Sequence, residues 1–242
     1  MNTKQIEQMP SFGTSPEAAL TSYLQLGYHV EPNVWTPDEC DRLQSASKNL
    51  PSFKDGTFAP AMQAHRIEPT FLWALRNPTI LKIIEQLVSG RVSAIQSEFF
   101  FCQPGTPGFT MHQDNYYVEA KRDAFASAWS AMQDITPDMG GLIVYPGSHN
   151  EPILPVETLE QKQDRGQDPN ANRQQVVLPD GYAAVALSVP KGAAVFLHGH
   201  IVHSSHKNRS TRFRNVLLTT YIRRGESFRP GRYAGRAEVD VY

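Results

Sequence analysis

Cysteine is scarce in this chain. There are two, Cys40 and Cys102, in no metal-binding or redox spacing. That excludes a disulfide scaffold and a thiolate zinc module, and it fits reduced thiols in a cytoplasmic protein. Net charge is nearly absent, at −1. With no basic excess and no cationic amphipathic stretch, neither nucleic acid nor a membrane surface is an expected partner. Long apolar runs are missing, and none approaches the ~20 residues that cross a bilayer. The opening "MNTKQIEQMP" lacks the apolar core of a signal peptide, so a cytoplasmic location is expected. No tandem repeat is visible, and nothing indicates an oligomeric state. What is present is 242 residues, 40% of them hydrophobic, enough for a substantial core in a single domain.

Helix signals gather at the N-terminal end. "SPEAALTSYLQLG" opens with Ser15 as cap and Pro16 at the first helical position, and stops near Gly27. In "TPDECDRLQSASKNLP", Thr36 and Glu39 form a capping box around Pro37, and Pro51 is expected to end the segment. "NPTILKIIEQLVSG" repeats the design with Asn77, Pro78 and Gly90. After Gly90 the pattern changes. "VSAIQSEFFFCQ", "FTMHQDNYYVE", "FASAWSAMQDI", "GLIVYPG", "YAAVALSVP", "AAVFLHGHIVH" and "FRNVLLTTYIRR" read as short strands separated by Gly, Pro and Asp. The expectation is a mainly β jelly roll with helices packed outside it: a helical prelude over about 14–90, a core over about 91–224 and a tail over 225–242. The polar, amide-rich stretch 157–175 is a loop, either a lid or disordered.

Four of the eight histidines fall between His198 and His206. Upstream, His112 and Asp114 stand two apart in "TMHQDNYY", on one face if the segment is a strand. An imidazole beside a carboxylate supplies two ligands of the 2-His-1-carboxylate triad that suits non-heme Fe(II). Strand parity selects the third. If 194–203 and 213–223 form a symmetric hairpin, His203 and Arg214 lie opposite each other on one face. His198 and His200 then point the other way as hydrogen-bonded histidines, and His206 sits in the turn. Arg214 beside a metal ligand suits the carboxylate of a metal-chelating dicarboxylate, which its planar fork grips two-pronged; a buried Asp or Glu is the alternative, and the place opposite His203 favours the cosubstrate.

These residues resemble the phytanoyl-CoA dioxygenase-like family of Fe(II)/2-oxoglutarate-dependent oxygenases. "LGYHVEPNVWTPDECDRLQS", "MHQD", "GGLIVYPGSH" and "GAAVFLHGHIVHSSHKNRSTRFR" carry the likeness over most of the chain, with His203, Ser205, Asn208, Ser210 and Arg214 in the family's order. The resemblance implies a double-stranded β-helix (jelly-roll, cupin-like) core. It also implies Fe(II) on His112, Asp114 and His203, with 2-oxoglutarate and O2 as cosubstrates. Arg214 and Ser205 would hold the distal carboxylate, with Trp129, Phe99 and Gln103 lining that pocket; some members have a lysine where this chain has Gln103. Related halogenases carry a small residue at the Asp114 position, so the carboxylate favours hydroxylation of a C–H bond in a small molecule, with desaturation or ring chemistry open to the same ligands. For the substrate, Tyr116 and Tyr117 are expected at the pocket mouth, on the strand of the iron motif. Met62, Gln63, His65 and Arg66 lie in "TFAPAMQAHRIEP", where the family often has a covering loop. The basic tail "YIRRGESFRPGRYAGR" is expected to be solvated, with contact to an anionic substrate as the alternative. A non-oxidative cupin-like isomerase or hydrolase would keep the barrel but has no use for Arg214 and the Ser205–Asn208–Ser210 pattern, and a non-catalytic 2-oxoglutarate- and metal-binding sensor has no need of the complete triad.

Overall fold

The structure is a computed structural model, and it describes residue 1, residues 9–159 and residues 174–242. The helical prelude forms where its caps dictate. Helix α1 (Pro16–Leu26) starts on proline and ends at Gly27, whose φ of 79° and close approach to the His149 ring both exclude a side chain. Ser15 precedes it but makes no side-chain cap. Helix α2 (Pro37–Ser47) carries the full Thr36–Glu39 capping box. Pro51 does not merely end that segment. It opens a further turn, α3 (Pro51–Lys54), because proline at N1 lacks only an N–H that has no intrahelical partner there. After α4 (Pro69–Leu75), α5 (Pro78–Leu87) is capped by Asn77, whose Oδ1 accepts from Ile80 N at 3.0 Å.

The strands are β1 (Tyr28–Glu31), β2 (Ala61–Met62), β3 (Val92–Cys102), β4 (Phe125–Ala131), β5 (Leu142–Val144), β6 (Val156–Thr158), β7 (Gln174–Val176), β8 (Val185–Ala186), β9 (Ala194–His198), β10 (His203–Ser205) and β11 (Arg214–Arg223). They form antiparallel sheets: six strands in the order β1-β9-β4-β11-β3-β2, three in the order β10-β5-β8, and the pair β6-β7. This is the expected jelly-roll, cupin-like fold with helices outside. The β6–β7 pair brackets the polar stretch, and the expectation for 157–175 otherwise lies outside the described residues.

Strand alternation sorts the large sheet into two faces. Phe99, Phe101, Ala126, Ala128, Phe196 and Leu217 pack with the helices in one core cluster. Phe100, Cys102, Trp129, Val195, Leu197 and Val216 face the small sheet in a second. Both faces are covered, which explains why β3 is buried along its whole length, including its polar residues Ser93, Gln96, Ser97 and Glu98. The second face positions the site.

Candidate metal centre

His112, Asp114 and His203 converge as expected, but not by the expected geometry. The His112 segment is no strand. It makes a single bridge to His203, and Asp114 directly precedes a one-turn helix, α6 (Asn115–Val118), that also carries Tyr116 and Tyr117. The proposed hairpin is absent as well. The chain turns at Gly199–His200, so β9 stays in the large sheet while β10 crosses to the small one, against β5. Arg214 pairs with Cys102 on β3, not with His203. Parity arguments fail across such a turn because they assume one continuous pleat.

Both histidine Nε2 atoms lie 3.7 Å from Asp114 Oδ1, and one ligand atom from each of the three residues lies within 4.8 Å of the others. The supporting bonds set the tautomers. His112 Nδ1 donates to the Thr110 carbonyl at 2.7 Å and His203 Nδ1 to the Ile201 carbonyl at 3.2 Å, which leaves each Nε2 lone pair aimed at the carboxylate. Burial, followed by the neighbouring His203, pushes His112 down to about 4, so its imidazole is neutral near pH 7. Ser127 Oγ donates to Asp114 Oδ2 at 3.3 Å. Two imidazoles and a carboxylate on one side of a cavity are the donor set of a facial triad with open positions, and they fit Fe(II).

Residues around the triad brace it. Gln113, fully buried, points away from the cavity, where its amide donates to the carbonyls of Pro152 (3.0 Å) and His200 (2.8 Å) and accepts from Leu154 N. His200 Nε2 meets the Asn115 amide at 2.9 Å, and His198 Nε2 meets Asp123 at 2.7 Å. These two histidines are therefore hydrogen-bonded supports behind the motif. Neither Gln113 nor Asn115 stands out in the sequence except by flanking Asp114.

The cavity in front of the triad encloses about 500 Å³. At one end Arg214, 3% exposed, donates from Nε and Nη2 to Cys102 Sγ (3.1 and 2.5 Å) and from Nη1 to the Gly140 carbonyl. Its guanidinium carbon lies 5.9 Å from the Trp129 ring centre, and Trp129 and Ser205 line the same space. Asn208 ties this end together by donating to the Cys102 carbonyl at 2.9 Å. Phe99 and Gln103 do not reach the cavity. Phe99 has the wrong parity and packs on Phe71 among the helices, and Gln103 lies past the end of β3 in the turn with Thr106. Phe100 occupies the place expected of Phe99.

At the other end, Gln96, Glu98 and Met62 line the wall. Gln63 is spent on the Ala234 carbonyl (2.8 Å), His65 on Ser97 Oγ (2.8 Å) and Arg66 on the Gly235 carbonyl (2.8 Å), so this loop contributes only Met62. Tyr117 lines the cavity, whereas Tyr116 packs edge-on against it. The tail stays largely exposed, as expected, but it is pinned to the body rather than free. Val239 bridges to Ala94, and Arg229, Arg232, Tyr233 and Arg236 form part of the cavity wall. Arg229 grips α6 with all three nitrogen positions: Nη2 on the Tyr116 carbonyl (3.1 Å), Nε on the Tyr117 carbonyl (3.1 Å) and Nη1 on Glu119 (2.8 Å). Composition alone marks this segment only as basic, and nothing local shows that it folds back.

The profile of the phytanoyl-CoA dioxygenase family matches residues 16–216. The chain belongs to that family. Among its relatives, phytanoyl-CoA dioxygenase domain-containing protein 1 of Danio rerio is 30% identical over 171 residues, covering 67% of this chain and 56% of the relative. Phytanoyl-CoA dioxygenase 1 of Oryza sativa subsp. japonica is 27% identical over 154 residues, covering 63% and 53%. The chain thus spans about half the length of the curated relatives it matches. Among solved structures, the non-heme α-ketoglutarate-dependent carbocyclase SnoK superposes with a TM-score of 0.74 at 22% identity, covering 95% of this chain and 90% of SnoK. The epimerase SnoN, in complex with Fe3+, α-ketoglutarate and nogalamycin RO, gives 0.73 at 18% over 88% and 86%. At these identities the structures bear on the fold of this phytanoyl-CoA dioxygenase-family protein and leave its reaction open. The family, the fold and the triad agree on Fe(II) and 2-oxoglutarate as cofactor and cosubstrate, with O2. Among the described residues, no helix is long and apolar enough to cross a membrane.

Proposed function

We propose that the chain is one catalytic domain that hydroxylates an unactivated C–H bond of a small molecule, with Fe(II) on His112, Asp114 and His203. The convergence of these three donor atoms at one wall of the cavity carries the reading. When bound, Fe(II) supplies the redox chemistry with O2 that amino-acid side chains lack. The balance is simple: 2-oxoglutarate loses CO2 and becomes succinate with one oxygen atom, and the other oxygen enters the C–H bond as a hydroxyl.

The protein's share is binding, orientation and exclusion. Arg214, with Ser205 beside the same cavity end, takes the distal carboxylate of 2-oxoglutarate. Cys102 and Gly140 hold the guanidinium plane so that little rotamer entropy is lost on binding. Trp129 and Phe100 keep that end apolar, which strengthens the ion pair. The Thr110 and Ile201 carbonyls hold Nδ1–H of both rings, so that each Nε2 is turned to the Asp114 side. Arg229 and the tail close the opposite side, where Tyr117 and Met62 meet the substrate. Asp114 would ligate the metal where related halogenases carry a small residue, which favours a hydroxyl product.

The test is anaerobic addition of 2-oxoglutarate to the Fe(II)-loaded protein, followed by oxygen. A visible charge-transfer band and release of succinate and CO2 are expected. Absence of both would refute the reading, and a desaturated, cyclised or epimerised product would keep the cofactors but reject hydroxylation.

A further inference from the structure

The cavity end away from Arg214 carries charge that neither the metal nor 2-oxoglutarate uses. Register places it: Arg214 opposes Cys102, whereas Leu218 opposes Glu98 and Thr220 opposes Gln96, farther along the same inner face. Glu98 is buried, 6% exposed, and accepts from Gln96 Nε2 at 3.1 Å. Three arginines of the tail line the same cavity, Arg236 half-buried and Arg229 and Arg232 exposed. Arg229 is neutralised by Glu119 and spent on α6. Arg236 commits Nη1 to the carbonyls of Tyr117 (3.2 Å) and Arg229 (3.4 Å), but its buried Nε has no hydrogen-bond partner among the described residues. Arg232 lines the cavity and makes no hydrogen bond or ion pair with a described residue.

Among the described residues, therefore, two guanidinium groups with donors to spare stand against one carboxylate, an excess of one positive charge. An apolar chain laid here would strip water from these groups and return no hydrogen bond to the unpartnered Arg236 Nε. An anionic head would fill the open donors with charge-assisted hydrogen bonds. We propose that the substrate carries a carboxylate or phosphate head group held by Arg232 and Arg236. Its body lies against Met62, Tyr117 and Tyr233, and this places the oxidised carbon within the cavity rather than on a wholly apolar tail. This inference rests on the hydroxylase reading for the word substrate; the anion site itself does not.

The test uses four probes that differ only in the head: hexanoate, hexyl phosphate, hexanol and hexylamine. Each is titrated calorimetrically into the protein loaded with Fe(II) and 2-oxoglutarate under nitrogen. Hexanoate or hexyl phosphate should bind at least tenfold more tightly than hexanol and hexylamine, and whichever of the two binds better identifies the head group. Arg232→Gln should weaken the anion about tenfold, the loss of roughly 1.4 kcal/mol. Arg236→Gln should weaken it further, but it also disturbs Tyr117, so the freely placed Arg232 is the cleaner probe. The charge-transfer band, recorded before each titration, reports the metal and 2-oxoglutarate reading separately. If the band fails to form, that reading falls, and the calorimetric comparison still decides this one. Equal binding of all four probes, tighter binding of the amine or alcohol, no binding of either anion, or unchanged anion affinity in both variants would overturn the proposal.

Discussion

Replacing Arg214 with lysine keeps the charge and removes the shape. The arginine is 3% exposed and bonded on two edges, to Cys102 Sγ and to the Gly140 carbonyl, so its plane is fixed before any ligand arrives. A lysine ammonium presents a single point charge and cannot keep both anchors while meeting two carboxylate oxygens. Losing one charge-assisted hydrogen bond at a buried carboxylate costs about 1.5–3 kcal/mol, roughly a tenfold to hundredfold weaker Kd for 2-oxoglutarate. Alanine should be worse, because the distal carboxylate would face Phe100, Leu142 and Trp129 with no counter-charge. Alanine also deprives the Gly140 carbonyl of a donor, at about 1–3 kcal/mol of stability, so Tm must be measured alongside. Calorimetric titration of the Fe(II)-loaded, oxygen-free protein reads the affinity, and Fe(II) binding should change little. Unchanged 2-oxoglutarate affinity in both folded variants would show that Arg214 serves the fold or the substrate instead.

His112→Ala, Asp114→Ala and His203→Ala should each abolish tight Fe(II) binding and succinate release while far-UV circular dichroism stays native; full metal content in any of them would remove that residue from the ligand set. Phe99→Ala should lower stability by about 3–5 kcal/mol in chemical denaturation yet leave 2-oxoglutarate affinity within twofold, since Phe99 packs on the helices; a large affinity loss in the folded variant would return it to the pocket. Gly108→Ala would drive its Cβ into the Ser205 carbonyl and the His206 backbone, so reduced metal affinity and a lower Tm are expected, and a neutral outcome would mean that this approach of the two backbones is not required. Burial holds His198 and His65 down to about 4 from 6.5, so their contribution to stability is complete above the unfolded value and is lost as pH falls from 6.5 toward 4. Tm should drop over that window, and His198→Gln should flatten the drop; an unchanged slope would assign acid sensitivity to other groups.

Local signals were strong wherever one short stretch decides the outcome. The Thr36–Glu39 box, Asn77 with Pro78, and Gly27 mark helix ends because capping needs only residues a turn apart. Short runs at β3, β4, β9 and β11, set off by Gly, Pro and Asp, made a β core legible, since turn residues punctuate strands locally. The types and order of His112, Asp114, His203, Ser205 and Arg214 were also readable, because the resemblance rests on residues rather than on geometry. What the tertiary structure decided was which of them share a space, and how. The turn at Gly199–His200 sends His203 to the other sheet, so it meets Asp114 across a gap that no parity rule describes. A helical turn, not a strand, presents Asp114. Phe99 and Phe100 differ by one position, and only the side on which the helices pack determines which of them reaches the cavity. The tail gave no local sign of its place, because its contacts with Tyr116, Tyr117 and Ala94 lie more than a hundred residues away in sequence. Contacts so distant leave no periodicity or motif in the segment itself; they exist only once the sheets have closed and the segment can bond to the exposed carbonyls of α6.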